Sequence, residues 1–232
     1  VIRWVLACLL LATPAEAADL TLLTTGAFKP VAEAVIPAFE ARTGNTVTVR
    51  NDTADALVRR IKANEKFDVA LLSAAGVKDV EGAGRIVPGS GTPVARVGVG
   101  VAVRAGAAKP DISTVAAFKA AMLNARSVAY VDPKSGGSSG IYVGRLFQTL
   151  GIAAVMAPKS VLVNGGLAAQ AVIDGRAEFA VQQTSELITE PGVTLVGPLP
   201  SEIQNETVYA AAIAAESTTP DAARALLDAL AS

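Results

Sequence analysis

The chain has no histidine among its 232 residues and a single cysteine, Cys8. Lacking histidine, it has neither the commonest general base nor the commonest zinc ligand, and nothing to form a Ser-His or Cys-His nucleophilic pair. Much hydrolytic chemistry is thereby disfavoured. One cysteine closes no intrachain disulfide and builds no cysteine-based metal site, so stability must come from packing. Aromatic residues make up 4% of the chain, which leaves few stacking platforms for bases or sugar rings. The 20 basic and 21 acidic residues nearly cancel, to a net charge of −1. There is no basic excess to hold nucleic acid. We expect no metal and no cofactor.

What is present begins with Arg3, an apolar run from Trp4 to Ala12, and then Thr13-Pro14-Ala15-Glu16-Ala17. That order reads as a signal peptide. The run is shorter than the roughly 20 apolar residues a membrane-spanning helix needs, and Ala15-Glu16-Ala17 has the small-x-small form of a cleavage site. Removal of residues 1–17 predicts a periplasmic protein starting at Ala18 or Asp19. Val5-Leu6-Ala7-Cys8 resembles a lipoprotein processing site, but the apolar residues after Cys8 would make a poor mature terminus.

Beyond the leader, hydrophobic periodicity alternates between strand and helix. Strands are expected at Leu20–Thr24, Thr46–Arg50 and Val69–Leu72, with helices at Pro30–Arg42, stopped by Gly44, and Asp55–Asn64. Such a βαβαβ order makes a parallel sheet with crossover helices. Val94–Val103 breaks the rhythm and reads as a crossing strand. A second series follows: helices at 114–123, 141–150 and 167–174, and strands at 127–131, 161–163 and 179–182. Thr207–Ala214 reads as a returning strand, and Pro220–Leu230 as a helix with Asp221 near its positive end. The expectation is an α/β chain of two lobes, residues 18–103 with 205–232 and residues 104–204. The two crossings, near 101–106 and 200–207, make a two-segment hinge. The chain is expected to act as a monomer.

In such sheets ligands lie beyond the carboxyl ends of the strands, where helix N-termini point into the crevice. The sharpest junction is Asp132-Pro133-Lys134-Ser135-Gly136-Gly137-Ser138-Ser139-Gly140, before a helix expected from Ile141. Glycines free the backbone to turn its amides inward, serines add hydroxyls, and the helix start offers unpaired N–H groups. The spacing matches neither the Walker A loop nor the dinucleotide fingerprint. Small or polar junctions recur at Thr24-Thr25-Gly26-Ala27, Asn51-Asp52-Thr53-Ala54, Asn164-Gly165-Gly166 and Gln182-Gln183-Thr184-Ser185. Together they suit a small anion held by directional, largely neutral donors. The candidate ligand contacts are Thr25, Gly26, Ala27, Thr53, Ala54, Ser135, Gly137, Ser138, Ser139, Gly165 and Gln183.

The order of elements resembles the periplasmic molybdate-binding proteins, which are type II solute-binding proteins of ABC transporters. Leu57-Val58-Arg59-Arg60-Ile61-Lys62-Ala63 with Phe67-Asp68-Val69-Ala70, Asp132-Pro133 through Gly140-Ile141-Tyr142, and Ala177–Ser185 carry the resemblance. It implies a two-lobed type II fold, a transporter permease as partner, and oxyanion-holding roles at Ala27, Ala54, Ser139, Gly165 and Gln183. Ala27 and Ala54 stand where that family has serines, and Gln183 where it has tyrosine. These departures favour an organic carboxylate, within reach of Thr25, Thr53, Gln183 and Ser185. The chain also resembles bacterial aconitate isomerase, which implies an alternative, removal of a proton α to a carboxylate, with Lys134 or Glu186 as the base.

Overall fold

A computed structural model describes residues 17–232. Residues 1–16, with Cys8 and nearly all of the expected leader, lie outside them.

The first half of the chain alternates β1 (Asp19–Thr25), α1 (Lys29–Thr43), β2 (Thr46–Asp52), α2 (Ala54–Lys62), β3 (Val69–Ser73) and α3 (Ala74–Gly82). A long strand, β4 (Thr92–Arg104), then leads to α4 (Val115–Asn124), β5 (Val128–Val131), α5 (Ser138–Thr149) and α6 (Ala153–Met156). After these come β6 (Ser160–Val163), α7 (Ala168–Ile173), β7 (Phe179–Gln183), α8 (Thr184–Leu187) and β8 (Val193–Pro198). The chain closes with β9 (Glu206–Ile213) and α9 (Pro220–Leu230). Among the described residues no helix is long and apolar enough to cross a membrane.

The strands join in the order β2-β1-β3-β9-β4-β7-β5-β6, with β8 also on β4. β1 runs parallel to β2 and β3, and β5 runs parallel to β6 and β7, as crossover helices require. β4 joins the two half-sheets. From Thr92 to Gly98 it pairs antiparallel with β9, and from Val99 onward with β7 and β8. Its partner changes between Gly98 and Val99.

Each half-sheet is covered on both faces near its centre, which is why β3 and β5 are apolar and buried along nearly their whole length, whereas the edge strand β2 is polar and partly exposed. Successive side chains of a strand point to opposite faces. Leu22 and Leu71 accordingly pack with Phe28, Phe39 and Leu226 of α1, α9 and the turn before α1. Their neighbours Leu23 and Leu72 pack with Leu57, Ile61 and Val80 of α2 and α3. In the second half-sheet Val101 sits with Phe118, Val143 and Phe147, while Ala102 sits with the alanines of α7.

Several features depart from the sequence reading. The helix expected from Ile141 begins at Ser138, so Ser138, Ser139 and Gly140 form its first turn rather than a loop. This is possible because Gly140 has no Cβ; one would lie 2.1 Å from the Val131 carbonyl oxygen. α3, α6, α8 and β8 were also not foreseen.

Candidate ligand-binding cleft

The carboxyl ends of β1, β2, β5, β6 and β7 open onto one cavity of about 540 Å³. Two seams between the half-sheets border it. At one, Thr53 Oγ1 donates to the Ser135 carbonyl (2.6 Å) and the Asp55 amide donates to the Gly136 carbonyl (3.2 Å). At the other, Ser185 Oγ donates to the Ala27 carbonyl (2.6 Å). The cleft is thus closed by hydrogen bonds to backbone carbonyls.

The strongest anion-stabilising element is the start of α5. Its N-cap, Gly137, has no side chain to cap the helix, and the first intrahelical bond runs from the Ile141 amide to the Gly137 carbonyl (3.0 Å). The amides of Ser138, Ser139 and Gly140 precede it and carry the helix's partial positive charge toward the cavity. On the β1 side the Thr25 hydroxyl oxygen is fully buried and has no hydrogen-bond partner of good geometry among the described residues, although it lies close enough to the Tyr209 hydroxyl to influence that group, and Thr25 lines the same cavity. An unsatisfied buried hydroxyl costs about 1–3 kcal/mol. Thr25→Val, which keeps the shape and removes the polar atom, should therefore stabilise the ligand-free protein by about 1 kcal/mol or more. If the hydroxyl serves the ligand, the same variant should weaken binding. Denaturant titration beside calorimetry reads both signs.

Gln183 has another task. With its Nε2 donating to the carbonyls of Val97 (3.0 Å) and Gly98 (3.1 Å), its Oε1 accepts from Thr207 Oγ1 (3.0 Å) and Ser138 Oγ (3.2 Å). The reverse orientation would set Oε1 against two carbonyl oxygens. The side chain, 1% exposed, therefore ties the joining strand β4 and its neighbour β9 to the first residue of α5. Its amide is spent on the protein although Gln183 lines the cavity. Ser138 Oγ, having donated to Gln183, is left to accept from the Tyr209 hydroxyl (3.3 Å).

Two buried titratable groups share the wall. Glu186, 7% exposed, makes no ion pair among the described residues, and burial pushes its carboxyl up to about 8, against a small opposing effect of a hydrogen bond from Gln182. Tyr209 is pushed up to about 12, chiefly by burial. At neutral pH both are mainly uncharged. The carboxyl of Glu186 reaches the turn after β1: a Cβ on Gly26 would lie 2.7 Å from its Oε1.

Of the residues singled out from the sequence, Thr25, Gly26, Ala27, Thr53, Ala54, Gly137, Ser138, Ser139, Gly165, Gln183 and Glu186 all line the cavity. Two do not. The Ser135 hydroxyl turns back to the Asp132 carbonyl (2.8 Å), and the residue contributes its own carbonyl to the seam instead. Lys134 is exposed and lies outside the lining, with its amide held by Asp132 Oδ1 (2.9 Å). That position removes Lys134 as a base for a ligand in the cavity. Tyr209 was missed. Its only signal was a polar-tipped ring in an otherwise small, apolar strand, Thr207–Ala214.

The sequence profile of the bacterial extracellular solute-binding proteins matches residues 20–232. An aconitate isomerase from a Pseudomonas species is 35% identical over 236 aligned positions, covering 97% of this chain and 88% of that protein. Among solved structures, the Azotobacter vinelandii periplasmic molybdate-binding protein superposes with a TM-score of 0.77 at 18% identity, over 91% of this chain and 92% of that one. The sulfate-binding protein SubI from Mycobacterium tuberculosis H37Rv gives 0.73 at 18% identity, over 93% and 82%. At such identities the structures speak for the fold, which is the type II periplasmic binding-protein fold expected from the sequence. With a profile match across every element from β1 to α9, the chain belongs to the bacterial extracellular solute-binding protein family.

Proposed function

We propose that this protein is exported to the periplasm, captures a small polycarboxylate anion between lobes 18–103 with 205–232 and 104–204, and delivers it as a monomer to an ABC transporter permease. The observation that carries the reading is the buried Thr25 hydroxyl, without a well-formed hydrogen bond among the described residues, in the cavity that also receives the start of α5. Because Thr25 also lines the cavity, a ligand or a bound water there would satisfy it. The cavity, about 540 Å³ and partly open to solvent, has room for an organic anion larger than a tetrahedral oxyanion. The side-chain set points the same way, because Ala27 and Ala54 offer no hydroxyl and Gln183 is occupied at the hinge.

A thermal-shift panel of molybdate, sulfate, phosphate, succinate, tricarballylate and trans-aconitate tests this. A ligand bound only by the folded state at a hundred times its Kd adds about 2.7 kcal/mol. Carboxylates are expected to raise the melting temperature. A shift with molybdate or sulfate alone sinks the ligand class.

A second reading is supported by the isomerase relative and by Glu186, a buried carboxyl in the cleft able to exchange a proton near neutral pH. In its ionised form Glu186 would take a proton from the methylene carbon of an aconitate. The electron pair would shift through the neighbouring double bond, and the same carboxyl would return the proton to the far carbon. Atoms and electrons balance without a cofactor. Incubation with cis- and trans-aconitate in deuterated water decides between the two. Carbon-bound deuterium and interconversion, lost in Glu186→Gln while binding persists, select isomerisation. Saturable binding without exchange selects transport.

A further inference from the structure

We propose that Glu186 acts as a specificity-determining residue: it faces the closed cleft as a neutral carboxylic acid and donates its O–H to a carboxylate of the bound anion. The inference rests on the polycarboxylate reading and adds the residue and the proton that select the ligand.

The geometry is specific. Glu186 lies on α8, yet its carboxyl crosses the seam to Gly26 in the turn after β1, where only a glycine leaves it room. The seam is fixed beside it by Ser185 donating to the Ala27 carbonyl. Among the described residues no cation neutralises the carboxyl. Lys29, the basic residue of the wall, is paired with Glu33 at 2.5 Å, and Asp52 is held by Arg60 at 3.0 Å. Glu190 and Tyr209 complete the titratable groups of the wall, and neither bears a positive charge. Of the strands packed against α8, β4 brings Arg96, paired with Glu206, and Arg104, bound to the carbonyls of Val172 and Ile173. β7 and β8 bring no ionisable residue.

An anion entering this cleft would be repelled by an ionised Glu186 and is attracted by a protonated one. A carboxylic O–H to a carboxylate is a charge-assisted bond, among the strongest available to a neutral side chain. Burial keeps the proton in place at neutral pH by raising the carboxyl to about 8. Capture therefore becomes proton-linked. Affinity is constant while the carboxyl is protonated and falls about tenfold per pH unit once it ionises.

The test uses tricarballylate, a saturated tricarboxylate that cannot undergo the allylic shift and is essentially fully ionised above pH 7. Titration calorimetry from pH 7 to 9.5 should show the dissociation constant rising by more than tenfold across that range. Glu186→Gln, a permanent amide donor of the same shape, should bind at pH 7 and show no rise. A second arm needs no ligand. A carboxyl raised from 4.5 to about 8 stabilises the fold below its unfolded value and loses that contribution as pH rises through about 8. The wild-type melting temperature should therefore fall between pH 5 and 9 relative to Glu186→Gln. A pH-independent affinity in the wild type, or the same rise in Glu186→Gln, overturns the proposal. If the melting difference is present but tricarballylate binds at no pH, the polycarboxylate reading fails instead, and the donation proposed here falls with it.

Discussion

Gly136→Ala is expected to cost roughly ten- to hundredfold in affinity for the cleft's ligand while leaving the protein folded. Gly136 adopts φ +81°, and a Cβ there would lie 2.4 Å from Asp55 Cβ and 2.9 Å from its Oδ2. Two costs follow, and they act on different equilibria. The left-handed backbone costs alanine about 1–2 kcal/mol in folding. The clash lies between the half-sheets, so opening the cleft relieves it without unfolding anything. Opening breaks the bonds from Thr53 Oγ1 to the Ser135 carbonyl and from the Asp55 amide to the Gly136 carbonyl. At about 1 ± 0.5 kcal/mol each they favour closure by about 1–3 kcal/mol, and about 1.4 kcal/mol is tenfold. Gly44→Ala separates the two costs: its φ is +75°, but nothing lies within 4 Å of its Cβ position. It should lose comparable stability and no affinity. Calorimetry with trans-aconitate, and small-angle scattering with and without it, read affinity and closure. A Gly136→Ala protein that binds and compacts like the wild type would show that this seam does not govern closure.

The fold was legible wherever burial imposes a period. β1, β3, β5, β7 and β9 are short apolar runs buried on both faces, and α9 carries Pro220, Asp221 and its buried face at Ala223, Leu226, Leu227 and Leu230. α3 escaped because it is short, carries Gly76 in its first turn and buries only Val77 and Val80, and its clearest local mark is Ser73, whose hydroxyl accepts from the Gly76 amide (3.1 Å). β8 escaped because it is a short run ending at Pro198, and its pairing with β4 shifts register between Val101 and Ala102.

The position of the cleft was legible for a related reason. Small and polar residues at five strand ends are costly unless a helix start or a ligand uses them. What each side chain does there was not legible, because it depends on pairing between distant segments. Nothing local to Gln183 says that it will meet the carbonyls of Val97 and Gly98, which reach it only because β4 changes partners at that point. Nor does the glycine-serine loop say that Ser135 will offer a carbonyl rather than its hydroxyl. The same holds for Glu186, whose burial depends on Gly26, far away in sequence.

Gly140→Ala should be the most destabilising single-methyl change near the cleft, against the usual sign for a helix. Alanine in a helix interior is ordinarily better than glycine by about 1 kcal/mol. At this position the added carbon would lie 2.1 Å from the Val131 carbonyl oxygen, 2.8 Å from its carbon and 3.0 Å from its Cβ. Even a weak C–H···O contact keeps carbon and oxygen about 3.3 Å apart, so α5 and β5 must separate by roughly 1 Å. β5 cannot yield, since it is paired in parallel with β6 and β7. The helix moves instead, and loosens Val143, Leu146 and Phe147 against Val128 and Tyr130, including the edge-on contact of Tyr130 and Phe147 at 5.6 Å. Overpacking of this kind costs about 1–3 kcal/mol, or more where backbone is the obstacle, which outweighs the helix gain. A net loss of about 2 kcal/mol lowers the melting temperature by roughly 4–8 °C in a chain of this size. The displacement also carries the amides of Ser138 and Ser139 away from the cavity, lengthening the hydrogen bonds they offer an anion. Affinity should then fall at least tenfold at a temperature where the variant is fully folded. Thermal melts with calorimetry at 15 °C test both halves. Unchanged stability would mean that the strand and helix part freely, and unchanged affinity that the start of α5 does not hold the ligand.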